Sequence, residues 1–447
     1  MSGAPADKRP VKLISAEGFE FVVDHDAACV SNTIKNMLSS QGTFIETEQG
    51  EIRFPEISTP VLEVVCKYFY YKLRYANTAS KNIPEFKVAP EMALELLMAA
   101  NYLDTNAHCP VLIYSPQNLG HLEELVATFP GGPLLWALSR GPEVLLTALI
   151  DSGANPNLRD ADGFTALIWA ACNNQPRLVR LLLERAKADA NMQNNEGFTA
   201  LALAAHGGHI AVVEALLAGG ADPNLSNDSG WTPLMLAADT GRTDVVEQLT
   251  KAGADLDCRD AFGWSALMLA VDGEHAEAAK LLVKAGADVN LTNNAGWTAA
   301  MLAADGADRA DLLRVLADAG ADLNVQDVEG CTALMLASDD GHAEVVRQLL
   351  RSSEVDLNLQ SNDGETALMF AAIEGQARVA QLLIDAGADL DLLDKDDRTA
   401  LALAMEGEHE GIVQALVVAG ASLARLSPEE LRTVVCLLGH ACQGAEA

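Results

Sequence analysis

Positive charge is scarce in this chain: 30 Lys and Arg stand against 63 Asp and Glu, a formal net charge of -33 over 447 residues. A field of that sign opposes nucleic-acid phosphates and anionic lipid surfaces and favours basic protein partners. The 8 cysteines are scattered without a CxxC pair. Neither a disulfide framework nor a zinc site is indicated, and reduced, structural thiols are expected. Nothing near the N-terminus is apolar over the length of a signal peptide or membrane span, so a soluble chain of the cytoplasm or nucleus is expected. Catalytic signatures are missing too: there is no P-loop, HExxH or GxSxG. The acidic fragments DADG, NDSG and DKDD lack the ligand spacing and closing Glu of a calcium loop, and the isolated histidines have no recurring partner. No catalysis, metal or cofactor is expected.

What the chain has in abundance is a repeat. The phrase DGFTALIWAA at Asp162 to Ala171 returns in degraded form almost to the C-terminus. Its glycine recurs as Gly163, Gly197, Gly230, Gly263, Gly296, Gly330 and Gly364, with Asp397 in its place once more, at spacings of 33 or 34 residues. Thr or Ser follows two positions later, from Thr165 to Thr399, and a phrase LxxxGADxN closes most units, as in Leu216 to Asn224 and Leu282 to Asn290. A poorer copy lies upstream around Leu134 and Trp136, which makes nine units between about Phe129 and Leu426. A unit of this size cannot bury its own apolar face, so neighbours must stack, and stacking makes a solenoid. The array is also the acidic part: the net charge is -4 through Thr105 and -29 beyond it.

In period, turn glycine, TxL helix start and GAD turn, these units resemble the ankyrin repeat. The resemblance implies paired antiparallel helices, a projecting hairpin per unit and partner binding along the concave side. Where that family has His after TPL, this chain has Ile168, Ala202, Met235, Met268, Met301, Met335, Met369 and Ala402. An apolar packing position in place of a local hydrogen bond is expected there.

Two rows of side chains are candidates for recognition. Between the marker glycine and the Thr stand Phe164, Phe198, Trp231, Trp264, Trp297, Cys331, Glu365 and Arg398. Three of the 5 Trp occupy this one position in successive units, and large amphipathic side chains are favoured as interface anchors. After the Ala pair of each first helix stand Asn173, His206, Asp239, Asp272, Asp305, Asp339, Ile373 and Glu406. An Asp row opposite an aromatic row suits a partner with Arg or Lys beside apolar groups. The bland alternative is that these Asp residues cap helices and keep the array soluble.

In front of the array, Val11 to Ser15 and Glu17 to Val23 read as two strands around Gly18. Ser31 or Asn32 can cap a helix over Thr33 to Ser39, and Glu51 to Phe54 is a further strand. Ser58 to Tyr71 is helical, with Val61, Leu62, Val65, Cys66 and Phe69 on one side, and Ala89, Pro90 and Glu91 open a helix to about Leu103. VKLIS at Val11 to Ser15, TIKNMLS at Thr33 to Ser39, YFYYKLRY at Tyr68 to Tyr75, IPEF at Ile83 to Phe86 and APEMALELLMAANYLD at Ala89 to Asp104 resemble elongin C, a Skp1/POZ-like adaptor of cullin-based ubiquitin ligases.

That resemblance implies an elongin B-like ubiquitin-fold partner on the early strands, an elongin-using cullin, and a groove for the short helix of a substrate receptor. It places Tyr68, Phe86, Leu96, Ala100 and Tyr102 at the groove, with Met98 and Asn101 toward the cullin. From spacing alone, Leu96 and Ala100 also fit inward packing at i and i+4. Thr105 stands where the family has Cys, and the chain continues far beyond that point.

The expected architecture is an α+β Skp1/POZ-like domain followed by an all-α ankyrin-repeat solenoid. Its segments are a disordered lead over 1–10, the adaptor domain over 11–105, a connecting or N-capping segment over 106–128, the array over 129–426 and a C-terminal capping helix over 427–443. Within the connection, residues 118–129 are expected to cap the array rather than fill the adaptor's own groove. Such a fusion reads as a non-enzymatic adaptor and substrate-recruiting scaffold of a ubiquitin ligase, with a basic-apolar protein on the array. The rival reading is a structural protein-binding subunit of a large assembly.

Overall fold

The computed structural model describes residues 10–39, 51–55, 57–75, 132–140, 143–151, 153–429, 431–432 and 434–435. The expected lead, the helix from Ala89 to about Leu103, the 106–128 connection and positions 436–443 lie outside the described residues, apart from Pro10 in the lead. The chain divides into two compact units, one ending at Ala200 and one beginning at Leu201.

The first unit opens with a three-stranded sheet in the order β2-β1-β3. β1 (Val11–Ile14) is central; β2 (Glu20–Val23) runs antiparallel to it, with Val11 opposite Val23, and β3 (Glu51–Arg53) runs parallel, with Leu13 opposite Ile52. Central placement explains why Val11, Leu13 and Ile14 are all buried. Lys12 reaches across both neighbours, 3.1 Å from Glu20 on one side and 3.1 Å from Glu51 on the other.

The second strand starts later than its alternation suggests. Residues 15–19 form the turn instead, with Ser15 N–H on the Phe19 carbonyl and Gly18 at φ +87°. Glu17 is withdrawn from the strand because its carboxylate accepts from the backbone N–H and hydroxyl of Thr59, at 2.8 and 2.6 Å.

The described residues of this part also hold three helices: α1 (His25–Ala28), which the sequence reading did not anticipate, α2 (Asn32–Ser39) and α3 (Thr59–Tyr75). Ser31 resolves the capping question, since its Oγ accepts from Ile34 N–H at 3.2 Å. The apolar stripe of α3 is the expected one, with Val61, Leu62, Val65, Cys66 and Phe69 all buried.

Further along the same unit come two helix pairs, Gly132–Arg140 with Glu143–Asp151 and Ala166–Cys172 with Pro176–Glu184. The poorer upstream copy of the repeat is therefore helical. The second unit continues the pattern from the helix at its boundary, Ala200–Gly207. There follow Ile210–Ala218, Pro233–Asp239, Thr243–Lys251, Ala266–Asp272, Ala276–Ala285, Ala299–Ala304, Ala310–Asp318, Ala333–Asp339, Ala343–Leu349, Ala367–Ile373, Ala377–Asp385, Ala400–Glu406 and Glu410–Ala419. Residues 428–429, 431–432 and 434–435 are helical as well, opened by Leu431 N–H on the Ser427 carbonyl.

Each first helix starts for a local reason. The Thr or Ser two residues after the marker glycine is extended, as in Thr232 at φ -87° and ψ 163°, and its hydroxyl accepts from the N–H three residues on. Ser265, Thr298, Thr332, Thr366 and Thr399 repeat this cap. At Thr298, Thr332 and Thr366 the bond is reciprocated: the sulfur of Met301, Met335 or Met369 accepts from the cap's own N–H at 3.4 Å. The expectation of packing in place of a local hydrogen bond is thus corrected. These Met side chains are buried, and the polarisable thioether, a weak acceptor, also closes the box.

Within the second unit, first helices pack on first helices of the next repeat and second helices on second helices. Small residues such as Ala237, Ala270 and Ala303 are fully buried along the first-helix seam. Leu249, Leu282, Leu316, Leu349, Leu383 and Leu416 do the same in the second helices, each contributing roughly 1.5–3 kcal/mol by burial. No helix among the described residues is long and apolar enough to cross a membrane.

Candidate protein-binding face of the helical array

The aromatic row is built by its hairpin. Asn227 Oδ1 accepts from Ser229 and Trp231 N–H at 3.0 and 2.8 Å, Asp260 Oδ1 from Phe262 and Trp264 at 2.9 and 2.8 Å, and Asn293 Oδ1 from Ala295 and Trp297 at 3.0 and 2.9 Å. The side-chain carbonyl or carboxylate does the work of a backbone turn, and Gly230, Gly263 and Gly296 supply φ values of +83 to +86° beside it. Each Trp backbone is pinned while its indole stays half-buried. In the first unit Phe164 and Phe198 are held the same way, by Asp160 and Asn194, and are likewise half-buried.

The acidic row sits at the opposite end of the first helices. Asp239, Asp272 and Asp339 are last residues of their helices and Asp305 is a C-cap. None caps a helix N-terminus, and a carboxylate at a helix C-terminus faces the negative end of the dipole. Asp272 and Asp305 are exposed, Asp239 and Asp339 half-buried. Burial, then Asp340, raises the carboxyl of Asp305, with Arg309 offsetting only in part; burial, then Glu374 and Asp340, raises that of Asp339.

The two rows share one face. Arg398, in the aromatic row, places Nη1 3.4 Å from Glu406 Oε2, in the acidic row of the same repeat. The charge of Asp339 is felt both by Cys331 in its own repeat and by Glu365 in the next. Burial, with neighbouring carboxylates, pushes the Cys331 thiol up to about 11, and burial followed by Asp363 raises Glu365.

Three histidines share a recurring backbone acceptor that the sequence reading did not foresee. His275 pairs through Nε2 with the Asp239 carbonyl at 2.9 Å, His342 through Nδ1 with Ala304 at 3.3 Å, and His409 through Nε2 with Ile373 at 3.0 Å. At the same repeat position Arg242 donates to the His206 carbonyl at 3.4 Å, Arg309 to that of Asp272 at 3.0 Å and Gln376 to that of Asp339 at 3.2 Å. Donors from one repeat close the first helix of the repeat before it. The spacing of these residues in the chain was the available signal.

Along the hairpin side a second ladder runs: Asn224 Oδ1 accepts from Asp255 N–H, Asp257 from Asp288, Asn290 from Asp322 and Asn324 from Asp356, all at 2.8 Å. The face is therefore carried on a scaffold tied at both edges. Among the described residues no group of three or more His, Cys, Asp or Glu could hold a metal ion.

In the sheet domain Tyr68 is buried and stacks on Tyr71, ring centroids 6.2 Å apart. Phe86, Leu96, Met98, Ala100, Asn101 and Tyr102 lie outside the described residues. Phe19 and Val22, at and beside β2, are exposed at 64% and 61%.

A stack of capped helix pairs presenting one chemically distinct face is a protein-binding scaffold. Models of ankyrin repeats (3 copies) match residues 96–191, 186–260, 245–327, 267–361 and 334–426, and a model of the Skp1 family tetramerisation domain matches residues 9–74. The chain is 47% identical over 96 residues to Elongin-C of Dictyostelium discoideum, 21% of this chain and 87% of that protein. It is 37% identical over 95 residues to Elongin-C of Saccharomyces cerevisiae, 21% of this chain and 93% of that one. SCF ubiquitin ligase complex protein SKP1a of Dictyostelium discoideum is 30% identical over 108 residues, 21% of this chain and 64% of that protein. The chain belongs to the ankyrin-repeat family, with an N-terminal Skp1/elongin C-like domain fused ahead of the repeats. Both are non-enzymatic interaction families, and the chain's role is that of a protein-binding adaptor.

Proposed function

We propose that this chain is the adaptor and substrate receptor of an elongin/cullin-type ubiquitin ligase in one polypeptide. Residues 11–105 act as the adaptor domain, and nine ankyrin units over 129–426, closed by a helix over 427–443, select the substrate. The observation that carries the reading is the fusion itself: a domain 47% identical to an elongin C continues into a binding array. Fusion makes substrate recruitment intramolecular and raises its effective concentration. Exposed Val22 on the outer strand and Phe19 in the turn before it support a ubiquitin-fold, elongin B-like partner there. A cullin contacts the side of Met98 and Asn101, and Tyr68, Phe86, Leu96, Ala100 and Tyr102 form a groove for a receptor helix. The protein works in the cytoplasm or nucleus.

Reconstitution tests this. The full chain, an elongin B-like protein and an elongin-using cullin are expected to co-migrate on size exclusion as one complex. Absence of that complex, while ordinary elongin C forms one in parallel, refutes the ligase reading.

A further inference from the structure

We propose that the face from Trp231 to Asp305 is a series of arginine subsites, each made by an indole and a carboxylate, for an extended partner segment carrying arginine at every third residue. This rests on reading the face as the partner-binding surface and adds the partner's chemistry and spacing.

One repeat shows that a guanidinium carried at the aromatic-row position reaches the acidic row. Arg398 stands where earlier repeats have Trp, and its guanidinium lies 3.4 Å from Glu406, 3.4 Å from Asp396 and 2.8 Å from Asp394, whose side chain is only 2% exposed. A side chain at the aromatic-row position therefore comes within reach of the acidic row of its repeat. Backbone geometry carries that conclusion to the other repeats. The caps that separate the rows have φ and ψ of -87° and 163° at Thr232, -97° and 165° at Ser265, -96° and 167° at Thr298, and -93° and 165° at Thr399. The same short helix follows each.

In those repeats the cation is missing. Among the described residues no Lys or Arg forms an ion pair with Asp239, Asp272, Asp305 or Asp339. Arg309 is committed to the carbonyls of Leu302 and Asp272 and to Glu274. An indole in place of Arg398 is a cation-π partner, and the Asp of the same repeat is a carboxylate acceptor. Arginine suits both better than lysine, because its planar guanidinium stacks and forks at once. Exposed Phe262 and Ala295 on the hairpins beside Trp264 and Trp297 provide apolar contact for the residues between arginines.

The repeat sets the spacing. Successive first helices pack directly, at roughly 8–10 Å between axes. An extended chain advances about 3.3 Å per residue, so about three residues span one repeat.

The test uses the full chain and fluorescein-labelled peptides of equal length and charge, with arginine at every second, third or fourth residue. Fluorescence anisotropy is expected to show the third-residue peptide binding about tenfold more tightly than the others and than its lysine counterpart. Trp264→Ala and, as a variant that leaves the packing intact, Asp272→Asn should each remove that advantage. If all spacings bind equally and still depend on Trp264, the subsite inference is overturned while the face remains a surface for basic proteins. If no peptide binds, the reading of the face itself fails.

Discussion

Replacing His275 should loosen one interface of the array without disturbing either repeat internally. Its ring nitrogen meets the Asp239 carbonyl at 2.9 Å, and the ring lies in a slot between two glycines. A Cβ on Gly241 would come within 2.5 Å of Nδ1, and one on Gly273 within 2.8 Å of Cδ2. His275→Ala removes a net hydrogen bond of about 0.5–1.5 kcal/mol and leaves a void where the ring was, for a loss of about 1–2 kcal/mol in all. His275→Gln should recover most of this, since Gln376 makes the same cross-repeat bond at the equivalent position. Gly241→Ala should cost more than His275→Ala, because the methyl collides with the ring and φ is +65°. Repeat arrays sum unit and interface terms, so urea unfolding followed by tryptophan fluorescence and by far-ultraviolet circular dichroism should coincide in the parent and separate in His275→Ala. A Gln variant as unstable as the Ala variant, or an Ala variant with unchanged midpoint, would refute the reasoning.

Thr332→Ala deletes the cap on Met335 N–H and should destabilise the array by about 1 kcal/mol in chemical denaturation, whereas Thr332→Ser should be nearly neutral. The raised carboxyls of Asp305 and Asp339 make these groups bind protons more readily folded than unfolded. Their penalty is therefore present at neutral pH and is relieved as pH falls through the raised values toward the ordinary Asp value of about 4. Asp305→Asn with Asp339→Asn should raise stability at pH 7 and flatten its acid dependence; an unchanged pH profile counts against it. For binding, Trp264→Ala should weaken a basic-apolar partner by about 5- to 150-fold, equivalent to roughly 1–3 kcal/mol, with helicity retained by circular dichroism. Replacing Asp239, Asp272, Asp305 and Asp339 by Asn should slow association and lower its salt dependence, measured by stopped flow at two salt concentrations.

The sequence by itself determined the repeat, the turn at each glycine, the Thr or Ser helix starts and the stripe of α3, because each is closed by residues a few positions apart. Gly263 and Ser265 need only their own hairpin and helix to act. It also set out the Trp and Asp rows, since a fixed period returns a fixed place on each unit. Tertiary structure decided what those places touch. His275, His342 and His409 looked isolated in the chain because their acceptors are carbonyls of the preceding repeat, more than thirty residues away. Periodicity cannot show that a Met thioether turns back onto its cap, or that Glu17 leaves a strand to hold Thr59, because both depend on side-chain direction after packing. The meeting of Arg398 with Glu406 is likewise a product of the folded helix, which brings side chains from its two ends together within one repeat.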